Sequence, residues 1–110
     1  MKLEQVVVPV SDIDRARHFY RAIGFRLVRD SVVDGTRVVE LTPPGSLCSI
    51  LVGARIGAGR PGSSTCVLRV PDLDVARAEL DVCGASVGPL RTSWIGFTDP
   101  DGNEWLLADR

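Results

Sequence analysis

The chain has 110 residues, 45% apolar and 25% charged, which is enough to bury one core without disulfide staples. Its 13 basic and 14 acidic side chains leave a net charge of −1, so bulk charge points to neither nucleic acid nor an anionic membrane. No apolar run approaches the roughly 20 residues of a membrane span, and the N-terminus lacks the pattern of a secretory signal; a cytoplasmic domain is expected.

The first 52 residues read as strand, helix and three further strands. A Val-rich run containing Val6, Val8 and Val10 leads to Asp12, a residue suited to cap a helix start by accepting backbone N–H bonds. Ile13, Ala16, Phe19, Tyr20 and Ile23 then recur at helical spacing, and Gly24 ends the pattern. Three β-like runs follow at 25–29, 36–41 and 47–52. Asp34-Gly35 and Pro43-Pro44-Gly45-Ser46 separate them with strong turn signals.

Residues 53–64 are rich in glycine and serine and read as a flexible linker. Within them Gly57-Ala-Gly59-Arg-Pro-Gly62 fits the glycine pattern of dinucleotide sites. That pattern has force only between a strand and a helix, where the helix N-terminus can meet a pyrophosphate. Here it leads towards another strand, and it is read as linker.

The sequence then repeats itself. Val10-Ser-Asp-Ile-Asp-Arg-Ala-Arg aligns with Val70-Pro-Asp-Leu-Asp-Val-Ala-Arg at a shift of 60 residues, and Gly24 aligns with Gly84. Asp72 caps a second helix with the stripe Leu73, Ala76, Leu80 and Cys83. Strands are predicted at 85–87, 94–98 and 104–107, the last two joined by Asp99-Pro-Asp-Gly-Asn103. Two copies are too few for a solenoid, so residues 1–110 read as one domain: a first module at 1–52, the linker, and a second module at 65–110.

Cysteine and histidine chemistry is sparse. Cys48, Cys66 and Cys83 contain no Cys-x-x-Cys pair, and Cys66 and Cys83 are expected to act as small apolar side chains. His18 is the only histidine and falls about 150° from the centre of its helix's apolar stripe, so it should face solvent.

The paired modules, the run Val10-Ser-Asp-Ile-Asp-Arg-Ala-Arg-His-Phe-Tyr with Gly24-Phe25, and Asp99-Pro-Asp-Gly-Asn103 together resemble the vicinal oxygen chelate superfamily. That superfamily holds glyoxalases, bleomycin-resistance proteins and extradiol dioxygenases. The resemblance covers essentially the whole chain. It implies an α+β fold of two pseudo-symmetric βαβββ modules that form a cup-shaped mixed sheet, with helices outside. It also implies up to four metal ligands, which by the motifs fall at Gln5, Leu51, Thr65 and Leu106. None of these is His or Glu, and leucine offers no donor, so no metal or other cofactor is expected. Glu40 or Glu104 could serve only in a different strand register.

Strand alternation then predicts the cup lining. Gln5 and Val7 should face the cup from the first strand, with Thr65, Val67 and Arg69 as their counterparts. Glu40 and Val38, Ser49, Trp94, Glu104 and Leu106 join them by parity. Two readings of Glu40 stand: a carboxylate whose pKa is raised by apolar walls, acting as a general base, or one satisfied by Arg37 or Arg26. Trp94 either stacks on a planar ring or packs as core, and Arg69 either pairs with a ligand anion or is a solvated rim charge.

The leading expectation is a metal-free protein of the glyoxalase and bleomycin-resistance type that binds and sequesters a small organic molecule. The competing one is a lyase, isomerase or cyclase using Glu40 and Gln5 for proton transfer, with a metal-dependent glyoxalase or dioxygenase as its variant. A third is a pair of modules serving mainly for dimerisation. The resemblance further implies a homodimer, with neither nucleic acid nor membrane as partner.

Overall fold

The computed structural model describes residues 1–57, 59–88 and 94–109. The first module runs β1 (Gln5–Pro9), α1 (Ile13–Ala22), β2 (Arg26–Val33), β3 (Thr36–Thr42) and β4 (Ser49–Gly53). The second runs β5 (Thr65–Arg69), α2 (Leu73–Val82), β6 (Trp94–Thr98) and β7 (Glu104–Ala108). Where a strand was expected at 85–87, the described residues hold a single antiparallel bridge between Val87 and Phe97.

Both helices start as their aspartates dictate. Asp12 Oδ1 accepts from the Arg15 amide at 3.0 Å, and Asp72 Oδ1 accepts from the Asp74 and Val75 amides at 2.9 and 3.1 Å. The β2–β3 hairpin turns on Asp34 and Gly35, both with positive φ. That is the backbone of a two-residue turn whose twist matches the strands, and it explains why Asp-Gly stands there.

The strands form two sheets, ordered β1-β4-β3-β2 and β5-β7-β6. In each, the first strand of the module pairs parallel with its last, and the other pairings are antiparallel. The repeat extends to register: Val7 lies opposite Leu51, and Val67 lies opposite Leu106. Each sheet has one face turned to the core and one turned away. Val8, Val10, Val39, Leu41, Ile50 and Val52 are buried on the first sheet, and Ile95, Phe97, Trp105 and Leu107 on the second.

One core serves both modules, and α1 bridges them. Tyr20 packs edge-on against Trp105, and Phe19 meets Phe97, so the first helix seals the inner face of the second sheet. The helices therefore lie on the side of each sheet opposite its cup. On α2 the core contacts come from Leu73, Ala76 and Leu80, whereas Cys83 caps the helix end and is exposed. The expectation that Cys83 packs in the stripe is corrected on that ground, because the stripe ends one residue beyond the helix.

Part of the expected flexible linker is tied down. The Gly62 amide donates to Pro9 O, the Ser64 amide to Asn103 Oδ1 at 3.0 Å, and Ser64 Oγ to Val7 O. The glycine motif continues into β5 rather than a helix, although its Ala58 lies outside the described residues.

Candidate functional site in the two cups

The outward face of the first sheet is a cup with a polar floor and apolar walls. Its cavity, about 320 Å³, is lined by Gln5, Arg29, Ser31, Val33, Val38, Glu40 and Leu51. Glu40 is buried despite its charge, and its position follows from alternation: Val39 and Leu41 go to the core, so Glu40 goes to the cup. Register sets its neighbours, because Glu40 lies opposite Leu51 on β4 and opposite Arg29 on β2.

Glu40 is the hub of the floor. Arg29 Nη2 donates to Glu40 Oε1 at 3.0 Å, and the nearby Ser49 and Gln5 side chains favour the charged form of the carboxylate. Ser49 Oγ lies 2.9 Å from Thr42 Oγ1, a buried hydrogen bond in which either hydroxyl can donate. Burial pushes the Glu40 carboxyl up, but the Arg29 hydrogen bond, the Ser49 and Gln5 side chains and the Arg29 charge together outweigh it. The net result is a pKa below the ordinary glutamate value.

That direction is opposite to the one expected for a carboxylate walled by apolar groups. The partner also differs from those expected. Arg37 is engaged elsewhere, with two hydrogen bonds to Asp30 and one to Asp14, and Arg26 lies opposite Thr42. Arg29 takes the place because β2 carries a bulge between Leu27 and Arg29, which nothing in the sequence signals. Ser31 and Val33 reach the cup for the same reason, whereas Val38 follows from simple alternation.

The second sheet's outward face forms a separate cavity of about 280 Å³, lined by Ser86, Gly88, Trp94, Gly96, Phe97, Thr98 and Glu104. Trp94 is 40% exposed and Val67 is 67% exposed on this face. Thr65 Oγ1 stands 3.5 Å from Glu104 Oε1, and Leu106 lies between Val67 and Gly96 by register. Thr98 shares the parity of Trp94 and could have been found from it; Ser86 could not, since no regular strand positions it.

The predicted site residues are thus distributed rather than gathered. Gln5, Val7, Glu40 and Ser49 share the first sheet's face, and Thr65, Arg69, Trp94 and Leu106 share the second's. Among the described residues, the two cups are lined by one module each. Ser49 and Thr65 also border a groove of about 340 Å³ between the modules, with Cys48, Cys66 and Trp105. Arg69 borders another groove, formed by Pro43, Pro44 and α2. His18 lies outside both cups, on the exposed face of α1 beside Asp14, Arg17 and Arg21.

The four positions implied for metal ligands do not fit a metal. Gln5 and Leu51 stand in one cup, Thr65 and Leu106 in the other, and the two leucines supply no donor atom. Glu40 and Glu104 lie in different cups, and Glu40 is already paired with Arg29. Among the described residues no three His, Cys, Asp or Glu side chains converge.

Comparison with known proteins agrees with this architecture. Residues 2–107 match the model of the Glyoxalase/Bleomycin resistance protein/Dioxygenase superfamily. TnmS3, an antibiotic binding protein from Streptomyces sp. CB03234, is similar over 98% of this chain and 94% of its own, with 33% identity and a TM-score of 0.87. A glyoxalase/bleomycin resistance protein from the same Streptomyces strain is 34% identical over 97% of this chain and 99% of its own, with a TM-score of 0.84. A superfamily member from Sphaerobacter thermophilus DSM 20745 is 25% identical over 98% and 96%, with a TM-score of 0.78. No curated protein matches the chain. The chain belongs to the glyoxalase/bleomycin resistance protein/dioxygenase superfamily.

Proposed function

We propose that this chain is a cytoplasmic, metal-free protein that binds a small organic molecule of antibiotic type and releases it chemically unchanged. The observation that carries the reading is the first cup: a cavity of about 320 Å³ with Val33, Val38 and Leu51 as walls and a fixed polar floor of Gln5, Glu40 and Arg29. Apolar area supplies affinity in such a pocket, and a few placed polar groups supply orientation. The similarity to an antibiotic binding protein at 33% identity supports the same class of ligand. The leucines at two family metal positions support a site that works without a metal.

In this reading a second copy of the chain closes the cavity. Each cup alone is at the lower limit of ligand pockets, which run from about 300 to 1,000 Å³. Each also leaves apolar side chains uncovered, Val7 and Val33 in one and Val67 and Trp94 in the other. A symmetric dimer that sets the first cup of one chain against the second cup of its partner covers both faces and makes two equal cavities. Trp94 then forms an aromatic wall over a ligand seated on the Glu40 floor.

The proton-transfer reading has less support. A general base works best with a pKa near the working pH, and Glu40 is shifted the other way by its polar neighbours, Arg29 first among them. The experiment is a thermal-shift screen of the purified chain against bleomycin and planar polycyclic antibiotics, with recovery of the bound compound. A raised melting temperature with compound of unchanged mass is the expected result. Conversion of the compound, lost in Glu40→Gln, would contradict it in favour of an enzyme.

A further inference from the structure

Arg29 reaches the first cup because β2 holds one residue more than its partner. Leu27 pairs with Leu41 and Arg29 with Glu40, leaving Val28 as the bulge. Strict alternation would put Val28 opposite Glu40 and turn Arg29 to the helix side. The extra residue inverts the parity for the rest of the strand. Bulges of this kind re-aim side chains beside sites, and this one aims a cation.

The guanidinium is anchored at one corner only. It gives a single hydrogen bond among the described residues, from Nη2 to Glu40 Oε1. A guanidinium carries five N–H donors in one plane, so most of this fork is left for another acceptor. Exposure divides the pair in the same sense: the Arg29 side chain is 63% exposed and that of Glu40 is 11% exposed. Both line the cavity, the carboxylate as its buried floor and the cation as its more exposed part.

We propose that Arg29 is the specificity-determining residue of this cup, selecting ligands that carry an anionic oxygen, a carboxylate or phenolate, beside an apolar body. The inference rests on the reading of the cup as a small-molecule site. The apolar body lies against Val33, Val38 and Leu51, and the oxygen meets the free edge of the fork. Bonds from arginine to an anionic oxygen are about twice as strong as neutral ones. Anchoring by Glu40 reduces the side-chain freedom that binding would otherwise remove. A cationic ligand gains no such contact, because Glu40 is already engaged and Arg29 repels it.

The test uses the full chain and three probes with one ring system: naphthoate, its methyl ester and naphthylmethylammonium, titrated by NMR. Naphthoate is expected to bind about tenfold more tightly than the ester, equivalent to about 1.4 kcal/mol. Arg29→Gln should bring naphthoate down to the ester's affinity and leave the ester unchanged, while Arg29→Lys keeps part of the preference. Arg21→Gln, which removes an exposed charge outside both cups, should keep all of it. The wild-type comparison stands even if an Arg29 variant folds poorly. Equal binding of naphthoate and ester, or a preference for the ammonium, would overturn the role of Arg29 and leave the small-molecule site intact. Failure of all three probes to bind would overturn the apolar cup itself, and the inference with it.

Discussion

Tyr20 Oη donates to Asp99 Oδ2 at 2.7 Å, joining the helix of the first module to the last turn of the second across 79 residues of sequence. Trp105 Nε1 donates to the same Tyr20 oxygen at 2.9 Å, and Asn103 Nδ2 donates to both Asp99 Oδ2 and Pro9 O at 2.8 Å. Every member is buried. Burial first, and then the Asp99 carboxylate, raise the Tyr20 pKa far above the ordinary phenol value, so the hydroxyl stays a donor. The motif that marks the family in sequence is therefore the bolt between its modules.

Tyr20→Phe keeps the ring but leaves the Trp105 N–H and one Asp99 oxygen without this partner inside the core. Unsatisfied buried groups are costly, and a loss of about 2 to 3 kcal/mol is expected. Urea denaturation of wild type and variant checks it. An effect below about 0.5 kcal/mol would show that water replaces the hydroxyl, and that the bolt contributes little.

Glu40→Gln should destabilise the protein by about 1 kcal/mol at pH 7, because it weakens a pair whose arginine is mostly exposed. The folded pKa of Glu40 lies below its unfolded value, near 4.5. Its contribution is therefore complete above that value and is lost as pH falls through the folded pKa. The stability gap between wild type and Glu40→Gln should narrow from pH 7 to pH 3, read from urea midpoints. A gap that widens in acid would mean that the folded carboxyl is raised instead.

Gly62 has positive φ, and a Cβ placed on it would strike the Asp101 carbonyl oxygen. Gly45 also has positive φ, but it has open space around it. Gly45→Ala should cost about 1 kcal/mol for backbone conformation alone, whereas Gly62→Ala adds a backbone clash and should cost about 2 to 4 kcal/mol. Thermal melts of the two variants separate these terms. Equal losses would show that the segment 62–64 moves away from the last turn at no expense.

Much of the fold was legible because its signals are local. Asp12 and Asp72 cap the helices, Asp34-Gly35 sets the hairpin, and the shift of 60 residues carries the repeat into matching strand registers. Glu40, Gln5 and Trp94 were legible as cup residues because alternation persists along a regular strand. Arg29 was not, since one bulged residue reverses parity without leaving a mark in composition or spacing. The pinning of residues 62–64 was hidden for a related reason. Glycine and serine describe what a segment can do, while Pro9, Asp101 and Asn103 decide what it does.

The most direct test is native mass spectrometry of the gently purified full chain, alone and with the compound that raises its melting temperature most. The predicted species has two chains, no stoichiometric metal, and two copies of the compound at unchanged mass. A single chain carrying the compound would contradict closure of the cups by a second copy. A bound metal ion, or a ligand of altered mass, would contradict metal-free binding without turnover.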